Sequence, residues 1–411
     1  MANPRKPSSK KGAILVTTSY VFDWVVIIAL GIAGYIMGDH TPNKRPFYLS
    51  DPNISFPFTT KETVPTMMLV ILNSSIPIGV ILIVCLIFVP GSTVPKGTPK
   101  SLIWRRKLWE LHVGWLGLAL SVGSAWFFTN GMKNLFGKPR PDMLSRCKPD
   151  LDNIQKYIVG GGLLPGDLNA LVSADICTNT DKALLDDGFR SFPSGHSSSA
   201  AAGLIYLSLF LASKFAVTLP FLPPTSSAAL NESSLSAFPS RLSRQAAEIT
   251  EYGALDQKDD GTYSIRDGTV QTTVMAARRQ AAAPPIYLLV LALLPFFASI
   301  FIASSRWFDF RHHGFDIMFG YLIGTVVSIY SFRYYHLPIS SGAGWAWAPR
   351  SPDRAFWAGV GCYSYATYNN HPSPSRRPLD EEEAIEMEGT RRRRTGLSPD
   401  GQSRLGTPPD M

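Results

Sequence analysis

Residues 305–316 read SRWFDFRHHGFD. This stretch holds two arginines, two adjacent histidines and two aspartates, yet it lies between two strongly apolar runs, 285–304 and 315–334. Each flanking run is about as long as the roughly 20 apolar residues that a membrane-crossing helix needs. The stretch therefore reads as a polar mouth between two membrane helices. Working outward, four more runs of similar character appear at 13–37, 64–89, 110–130 and 195–217. The expected fold is all-α: a polytopic membrane protein of six transmembrane helices, with its core a helical bundle. The alternative, the apolar core of a large soluble protein, fits poorly with six long runs separated by polar loops. Two runs are imperfect. Asp23 puts a charge at membrane depth and needs a partner, and the fourth run opens with the small, polar SGHSSSAAAG.

The composition agrees. Of the 411 residues 45% are apolar and only 17% are charged, against about 25% in soluble proteins. The net charge of +8 suits an acidic membrane surface or nucleic acid. No zinc-finger spacing or RNP-like motif is present, so nucleic acid is not an expected partner. The four cysteines, Cys85, Cys147, Cys177 and Cys362, form neither a CxxC nor a metal-binding pattern. The basic start PRKPSSKKG runs into an apolar span too long for a cleavable signal and without a small-residue cleavage site.

Short basic flanks orient the chain. Arg5, Lys6, Lys10 and Lys11 precede the first run, and Lys96, Lys100, Arg105, Arg106 and Lys107 precede the third. Lys/Arg excess marks the cytoplasmic side. Residues 1–12 then form a cytoplasmic tail, 13–335 the membrane domain, and 336–411 a cytoplasmic tail. Segments 38–63, 131–194 and 305–314 face a lumen or the exterior. Cys147 and Cys177 share that side, where an oxidising compartment lets them pair; free thiols are the alternative. Asn53, in the sequon NIS, is a glycosylation acceptor on the same side. The insert 218–284 and the tail from 336 have the Ser-, Pro- and charge-rich composition of disorder. Within the tail, Arg391–Arg394 is either a solvated run or a contact for anionic lipid headgroups.

Counting spans places three polar clusters on one face: KNLFGKPRP at 133–141, RSFPSGHSSS at 190–199, and the opening stretch. A Lys, Arg or Asp at mid-bilayer costs about 2.5–3.5 kcal/mol. Lys133, Arg140, Arg306 and Asp316, buried unpaired, would together cost on the order of 10 kcal/mol. They must lie at the interface, or pair with one another or with a bound anion. Isolated snorkelling residues explain one such cluster but not three. Lys133, Arg140 and Arg306 supply cations suited to phosphate. Ser194 can cap the fourth helix, Gly195 lets backbone approach, and the first-turn amides of a helix form an anion site. The clusters describe a receptor for a phosphate-like dianion.

Histidines add chemistry. His196 lies in the first turn of that helix. His312 and Asp316 are four apart, which places them on one face, about 6 Å apart along the axis, if the segment is helical there. A carboxylate on one imidazole nitrogen raises the basicity of the other, and makes His312 a candidate nucleophile. His313, three residues from Asp316, satisfies the same spacing. A metal held by His312, His313, Asp309 and Asp316 is the chemical rival; three nearby cations and the lack of an HExxH-type pattern oppose it.

The motifs K-x6-RP (Lys133 to Pro141), PSGH (193–196) and SR-x5-H-x3-D (305–316) together resemble the three signatures of lipid phosphate phosphatases. These belong to the type 2 phosphatidate phosphatase superfamily, related to acid phosphatases and vanadium haloperoxidases. The resemblance spans about 13–335, and DPNISFPF (51–58) is also similar to that branch. It implies a phosphoric monoester hydrolase of the membrane, needing neither metal nor cofactor. Its substrate and partner would be a phospholipid in the bilayer: phosphatidate, lysophosphatidate or diacylglycerol pyrophosphate. By resemblance, His312 attacks phosphorus, Asp316 orients it, and His196 protonates the departing oxygen and then activates water. Lys133, Arg140, Ser194, Gly195 and Arg306 hold the phosphoryl oxygens. Alternatives are a related phosphatase for sphingoid base phosphates, polyprenyl pyrophosphates or a sugar phosphate, and a catalytically inactive membrane relative.

Overall fold

The computed structural model describes residues 10–91, 94, 97–160, 169–217, 283–339, 344–352 and 355–356. Almost all of the expected insert, and the run Arg391–Arg394, lie outside them. The architecture is mainly helical. Helix α1 (Lys10–Asp39) and helix α2 (Thr66–Ile87) are followed by the long α3 (Lys100–Phe136). Two short helices, α4 (Met143–Cys147) and α5 (Lys182–Gly188), lead to α6 (195–214), then α7 (Ile286–Phe308) and α8 (Gly314–Tyr335).

Among the described residues, five helices are long and apolar enough to cross a membrane: α1, α2, α3, α7 and α8. The fourth expected span is helical but is not one of these. Its first half is Gly, His, Ser and Ala, and protein surrounds it: Ser197 to Ile205 are buried without a break. Length and hydropathy alone therefore do not carry the count of six. The outer helices show the opposite pattern. Ile14, Val21, Ile28 and Ile32 of α1 and Leu294, Phe297 and Phe301 of α7 are exposed at the protein surface. Apolar surface on this scale does not persist in water. The chain is an integral, multi-pass membrane protein.

Small residues let α6 sit at the centre. A side-chain carbon at Gly324 of α8 would lie 2.2 Å from the Ser198 carbonyl, so only glycine permits this approach. Such close backbone packing is how helices associate where lipid supplies no hydrophobic drive. Both α2 and α6 contain a π turn, at Ile71–Ser75 and Ala201–Ile205. The two turns face each other, and a carbon added at Gly203 would lie 2.0 Å from the Asn73 carbonyl. Ser121 Oγ of α3 donates to the Ala202 carbonyl at 2.8 Å, giving the widened turn an extra partner.

Asp23 has its partner. Arg350 donates to it at 2.6 and 3.2 Å and stacks over Tyr20. Arg350 belongs to the expected disordered tail, so that tail begins with a packed stretch. Leu337 and Trp347 bond back across 335–347, and Ala346 N donates to the buried Glu110, which also pairs with Lys214 at 2.6 Å. Burying one charge without the other would be costly, so the stretch is tied down by charge satisfaction.

Within the segments read as loops, 38–63 and 131–194, the described residues beyond the ends of α1 and α3 build a cap over one end of the bundle. Short strands β1 (Phe47–Tyr48), β2 (Ile158–Gly160) and β3 (Leu171–Val172) form an antiparallel sheet in the order β1-β3-β2. Phe47, Ile54, Met143, Val172, Ile176 and Phe189 give the cap its own core. Cys147 and Cys177, 30 residues apart, form a disulfide within it. Closing a loop of this length contributes about 3–4 kcal/mol in the chain-entropy account. Cys177→Ser is accordingly expected to destabilise the cap by about that amount. Limited proteolysis of the purified protein checks this, with new cuts in 148–176. Asn53, the sequon residue, is exposed on the cap.

Candidate active site

The site lies where the cap meets α3, α6, α7 and α8. Its floor is the start of α6. Ser194 caps that helix from extended backbone, and its hydroxyl accepts from Ser197 N at 3.4 Å and from Ser197 Oγ at 3.0 Å. Its own N–H donates to the Asp316 carbonyl at 3.0 Å, locking α6 to α8. A side-chain carbon at Gly195 would lie 3.0 Å from Lys133 Nζ, so the ammonium hangs directly over the helix start. Backbone N–H groups and a cation thus face one spot, the arrangement that binds anions.

Arg140 comes from the turn after α3. It is 7% exposed, donates to Asp187 Oδ1 at 2.7 Å, and has no partner for Nε. Asp187 also receives Arg146 Nη1 at 2.9 Å, and Arg146 forks onto Asp142 with two bonds of 2.9 Å. Burial raises the Asp187 pKa, but Arg140, Arg146 and Lys133 outweigh it and bring it down to about 2. The carboxylate is therefore ionised and holds Arg140 in place.

His312 is 2% exposed, and its Nδ1 lies 2.6 Å from the Ser191 carbonyl. A carbonyl oxygen only accepts, so Nδ1 carries the hydrogen and Nε2 keeps its lone pair. Burial, then Arg140 and Lys133, push the His312 pKa well below its ordinary value. The ring is neutral at physiological pH.

The expected pairing of His312 with Asp316 is not formed. Asp316 accepts from Lys138 Nζ at 2.7 Å and Ser191 Oγ at 2.5 Å, and meets His313 N at 3.2 Å and His313 Nδ1 at 3.1 Å. The reason is where the helix begins. His313 is the N-cap of α8, in extended backbone, and Asp316 folds back on it as a capping box. His312 precedes the helix, so four-residue spacing does not align it with Asp316. The carboxylate reaches His312 indirectly: it grips the Ser191 hydroxyl while the Ser191 carbonyl holds the imidazole.

His196 points the other way. Its Nε2 is 3.2 Å from the Val64 carbonyl and 4.0 Å from Glu62 Oε2. The carbonyl contact leaves Nε2 carrying its hydrogen. Arg306 is 1% exposed and donates to the same Val64 carbonyl at 3.1 Å. It also donates to Glu62 at 2.9 Å, Asp309 at 2.7 Å and Ser305 Oγ at 3.1 Å. Its guanidinium is thus engaged by protein groups. The four candidate metal ligands separate: Asp309 serves Arg306 and Thr63 while Asp316 serves Lys138 and Ser191. Among the described residues no group of three or more His, Cys, Asp or Glu could hold a metal ion.

Lys133, Arg140, Ser194, Gly195, His196, Arg306, His312 and Asp316 therefore come from three distant parts of the chain to the same end of the bundle. Sequence reasoning missed Glu62, Asp187, Arg146, Lys138, Ser191 and Arg311. Lys138, Ser191 and Arg311 lie inside the quoted motif stretches and were available to it. Glu62 sits in TTKETVP, an ordinary polar loop that carries no signal.

A family model described as the PAP2 superfamily matches residues 114–339. Among curated proteins, the chain is similar to diacylglycerol pyrophosphate phosphatase 1 of Saccharomyces cerevisiae, at 28% identity over 318 residues. That match covers 77% of this chain and 80% of the relative. It is 33% identical over 196 residues to the probable diacylglycerol pyrophosphate phosphatase 1 of Schizosaccharomyces pombe, covering 46% and 58%. A probable lipid phosphate phosphatase 4 of Arabidopsis thaliana is 24% identical over 334 residues, covering 80% and 77%. No solved structure matches the chain significantly.

Proposed function

Because the chain belongs to the PAP2 superfamily, we propose that it is a membrane phosphatase that releases phosphate from lipid phosphates. The substrates proposed are diacylglycerol pyrophosphate, phosphatidate and lysophosphatidate. The observation that carries this is the union of Lys133, Arg140 and the α6 start with His312, whose Nδ1 is taken by the Ser191 carbonyl and whose ring lies within reach of the Arg140 and Lys133 charges. The names of the relatives support the substrate class.

The phosphoryl group would sit against Lys133, Arg140 and the first amides of α6. These groups hold it more tightly as charge spreads over its oxygens in the transition state. His312 Nε2 attacks, a nitrogen–phosphorus bond forms, and the bond to the leaving oxygen breaks. His196, carrying a proton on both ring nitrogens when the phosphoryl dianion is bound, turns its Nε2–H from the Val64 carbonyl to that oxygen, gives up the proton and is left neutral. It then takes a proton from water, which attacks the phosphohistidine and frees phosphate. Asp316, through Ser191, keeps the His312 hydrogen on Nδ1 during the attack. Each step here uses the chain's own residues.

The membrane mouth suits such a substrate. Trp307, Phe308 and Phe315 are exposed beside the site, as aromatics are at bilayer interfaces. A headgroup can enter while its acyl chains stay in lipid. The disulfide in the cap supports placing this side in a lumen or outside the cell.

Phosphate release tests the proposal. Purified protein in detergent–lipid micelles with excess chelator is given the three lipid phosphates, a sphingoid base phosphate and glucose 6-phosphate. The lipid phosphates are expected to exceed the sugar phosphate in kcat/KM by about tenfold or more, since remote binding energy is spent on the reacting centre. Preference for the soluble ester, or loss of activity in chelator, would overturn it.

A further inference from the structure

We infer that Glu62 is an internal competitor of the phosphoryl group: its carboxylate holds Arg306 at rest, a phosphoryl oxygen displaces it onto Arg311, and its return helps to expel inorganic phosphate. The inference rests on the phosphatase reading above and adds a residue to it.

One oxygen of Glu62 has the surroundings expected of a phosphoryl oxygen. Oε2 lies 2.9 Å from Arg306 Nη1 and 4.0 Å from His196 Nε2. A cation and the proton donor thus flank one anionic oxygen. The other nitrogens of Arg306 are committed to the fold. Nε donates to Ser305 Oγ at 3.1 Å, and Nη2 donates to the Val64 carbonyl at 3.1 Å and to Asp309 at 2.7 Å. Nη1 is therefore the nitrogen through which Arg306 holds a reacting phosphoryl oxygen. Among the described residues, Glu62 is the group bonded to it. Nη1 has a second hydrogen, but a phosphoryl dianion beside the carboxylate would bring like charges together, so the two exclude each other.

Arg311 gives the displaced carboxylate a place to stay. Its Nη2 lies 2.8 Å from Glu62 Oε1. Arg311 is buried, stacks on Phe58, donates to the Thr59 carbonyl at 2.9 Å and approaches Asp142 at 3.7 Å. These contacts fix it without Glu62, and its buried Nε has no hydrogen-bond partner. Glu62 can leave Arg306 and remain paired, so no charge is stranded. The move needs only a side-chain rotation. Thr63 is fixed to Asp309 through N at 2.9 Å and Oγ1 at 2.7 Å, so the loop stays in place. The Glu62 side chain is 24% exposed, which leaves it room to turn.

A phosphoryl dianion wins at Arg306 because Lys133, Arg140 and the α6 amides hold its other oxygens. Inorganic phosphate would enjoy the same grip and linger as product. A carboxylate tethered beside the site competes at high effective concentration and weakens that grip. Substrate and product are weakened alike, since each displaces the same group.

The test measures inorganic phosphate on purified full-length wild type, Glu62→Gln and Glu62→Asp in micelles, by inhibition of phosphatidate hydrolysis and by thermal shift. Glu62→Gln keeps the shape and removes the charge. Its inhibition constant for phosphate is expected to fall about tenfold, the scale of one charge-assisted hydrogen bond, while kcat/KM for phosphatidate rises. Phosphate should also raise its melting temperature more than that of wild type. Glu62→Asp is one methylene shorter and cannot span both guanidinium groups. It should move the constant in the same direction, and it decides the matter if Glu62→Gln does not fold. Phosphate affinity unchanged or weakened in a folded variant, or a fall in kcat/KM, would make Glu62 a fixed support for Arg306 and overturn the competitor while leaving the phosphatase reading intact. A wild type that hydrolyses no lipid phosphate overturns the phosphatase reading, and the thermal shift still decides whether Glu62 competes with phosphate.

Discussion

His312→Ala is expected to lower phosphate release by on the order of 10⁵-fold, the scale seen when a covalent nucleophile is removed. The structure explains why no neighbour can substitute. His313 is turned toward Asp316 and the Asn53 carbonyl, and His196 toward Val64. Of these three, His312 is the one with Nδ1 held on a carbonyl, which leaves Nε2 its lone pair, and its ring is under the influence of the Arg140 and Lys133 charges. Rapid quench with labelled substrate should trap an acid-labile phosphoenzyme in wild type and none in the variant. Trapping the same species in His312→Ala would remove the mechanism.

The pH profile follows from the same geometry. Burial, then Arg140 and Lys133, depress the His312 pKa. The reactive form is the neutral ring, so a lowered pKa moves the acid limb of kcat/KM below the ordinary imidazole value of about 6.5. Arg140→Gln removes one of those causes and should carry the limb of its residual activity upward. A limb that stays put would assign it to another group.

The second large effect belongs to His196. His196→Ala should cut turnover by about 10²–10⁴-fold, the range for a lost general acid and base. The two steps suffer differently. Attack on diacylglycerol pyrophosphate expels a stabilised phosphate and needs little acid help, whereas phosphatidate must expel an alkoxide. The variant should therefore still form phosphoenzyme from the diphosphate and then stall, because water lacks its base. Steady-state phosphoenzyme is expected to approach full occupancy with diphosphate and remain low with phosphatidate. Turnover within threefold of wild type, or an empty phosphoenzyme pool with both substrates, would reassign His196.

Much of the site was legible because membrane insertion makes charges conspicuous. Lys133, Arg140, Arg306 and Asp316 stand out only against apolar neighbours that forbid them. The direct contact expected between Asp316 and His312 was misread for a local reason. Helical spacing applies only inside a helix, and α8 starts one residue too late for His312. The small sheet of the cap was also missed. Strands of two or three residues, such as Phe47–Tyr48, leave no periodicity to detect.

What the chain alone determined was the material and its rough placement: long apolar runs that demand lipid, and three polar clusters that counting puts on one face. Those follow from composition and from a two-sided solvent, which act on each segment separately. The partners of the charges were decided only in three dimensions. Arg350 answers Asp23, Ser191 stands between Asp316 and His312, and Glu62 bridges Arg306 and Arg311. Each of these pairings except that around Ser191 joins residues more than 240 positions apart, and Ser191 itself is 121 from His312. No local preference encodes such a pairing, because it exists only once the packed helices bring the two groups within hydrogen-bond reach.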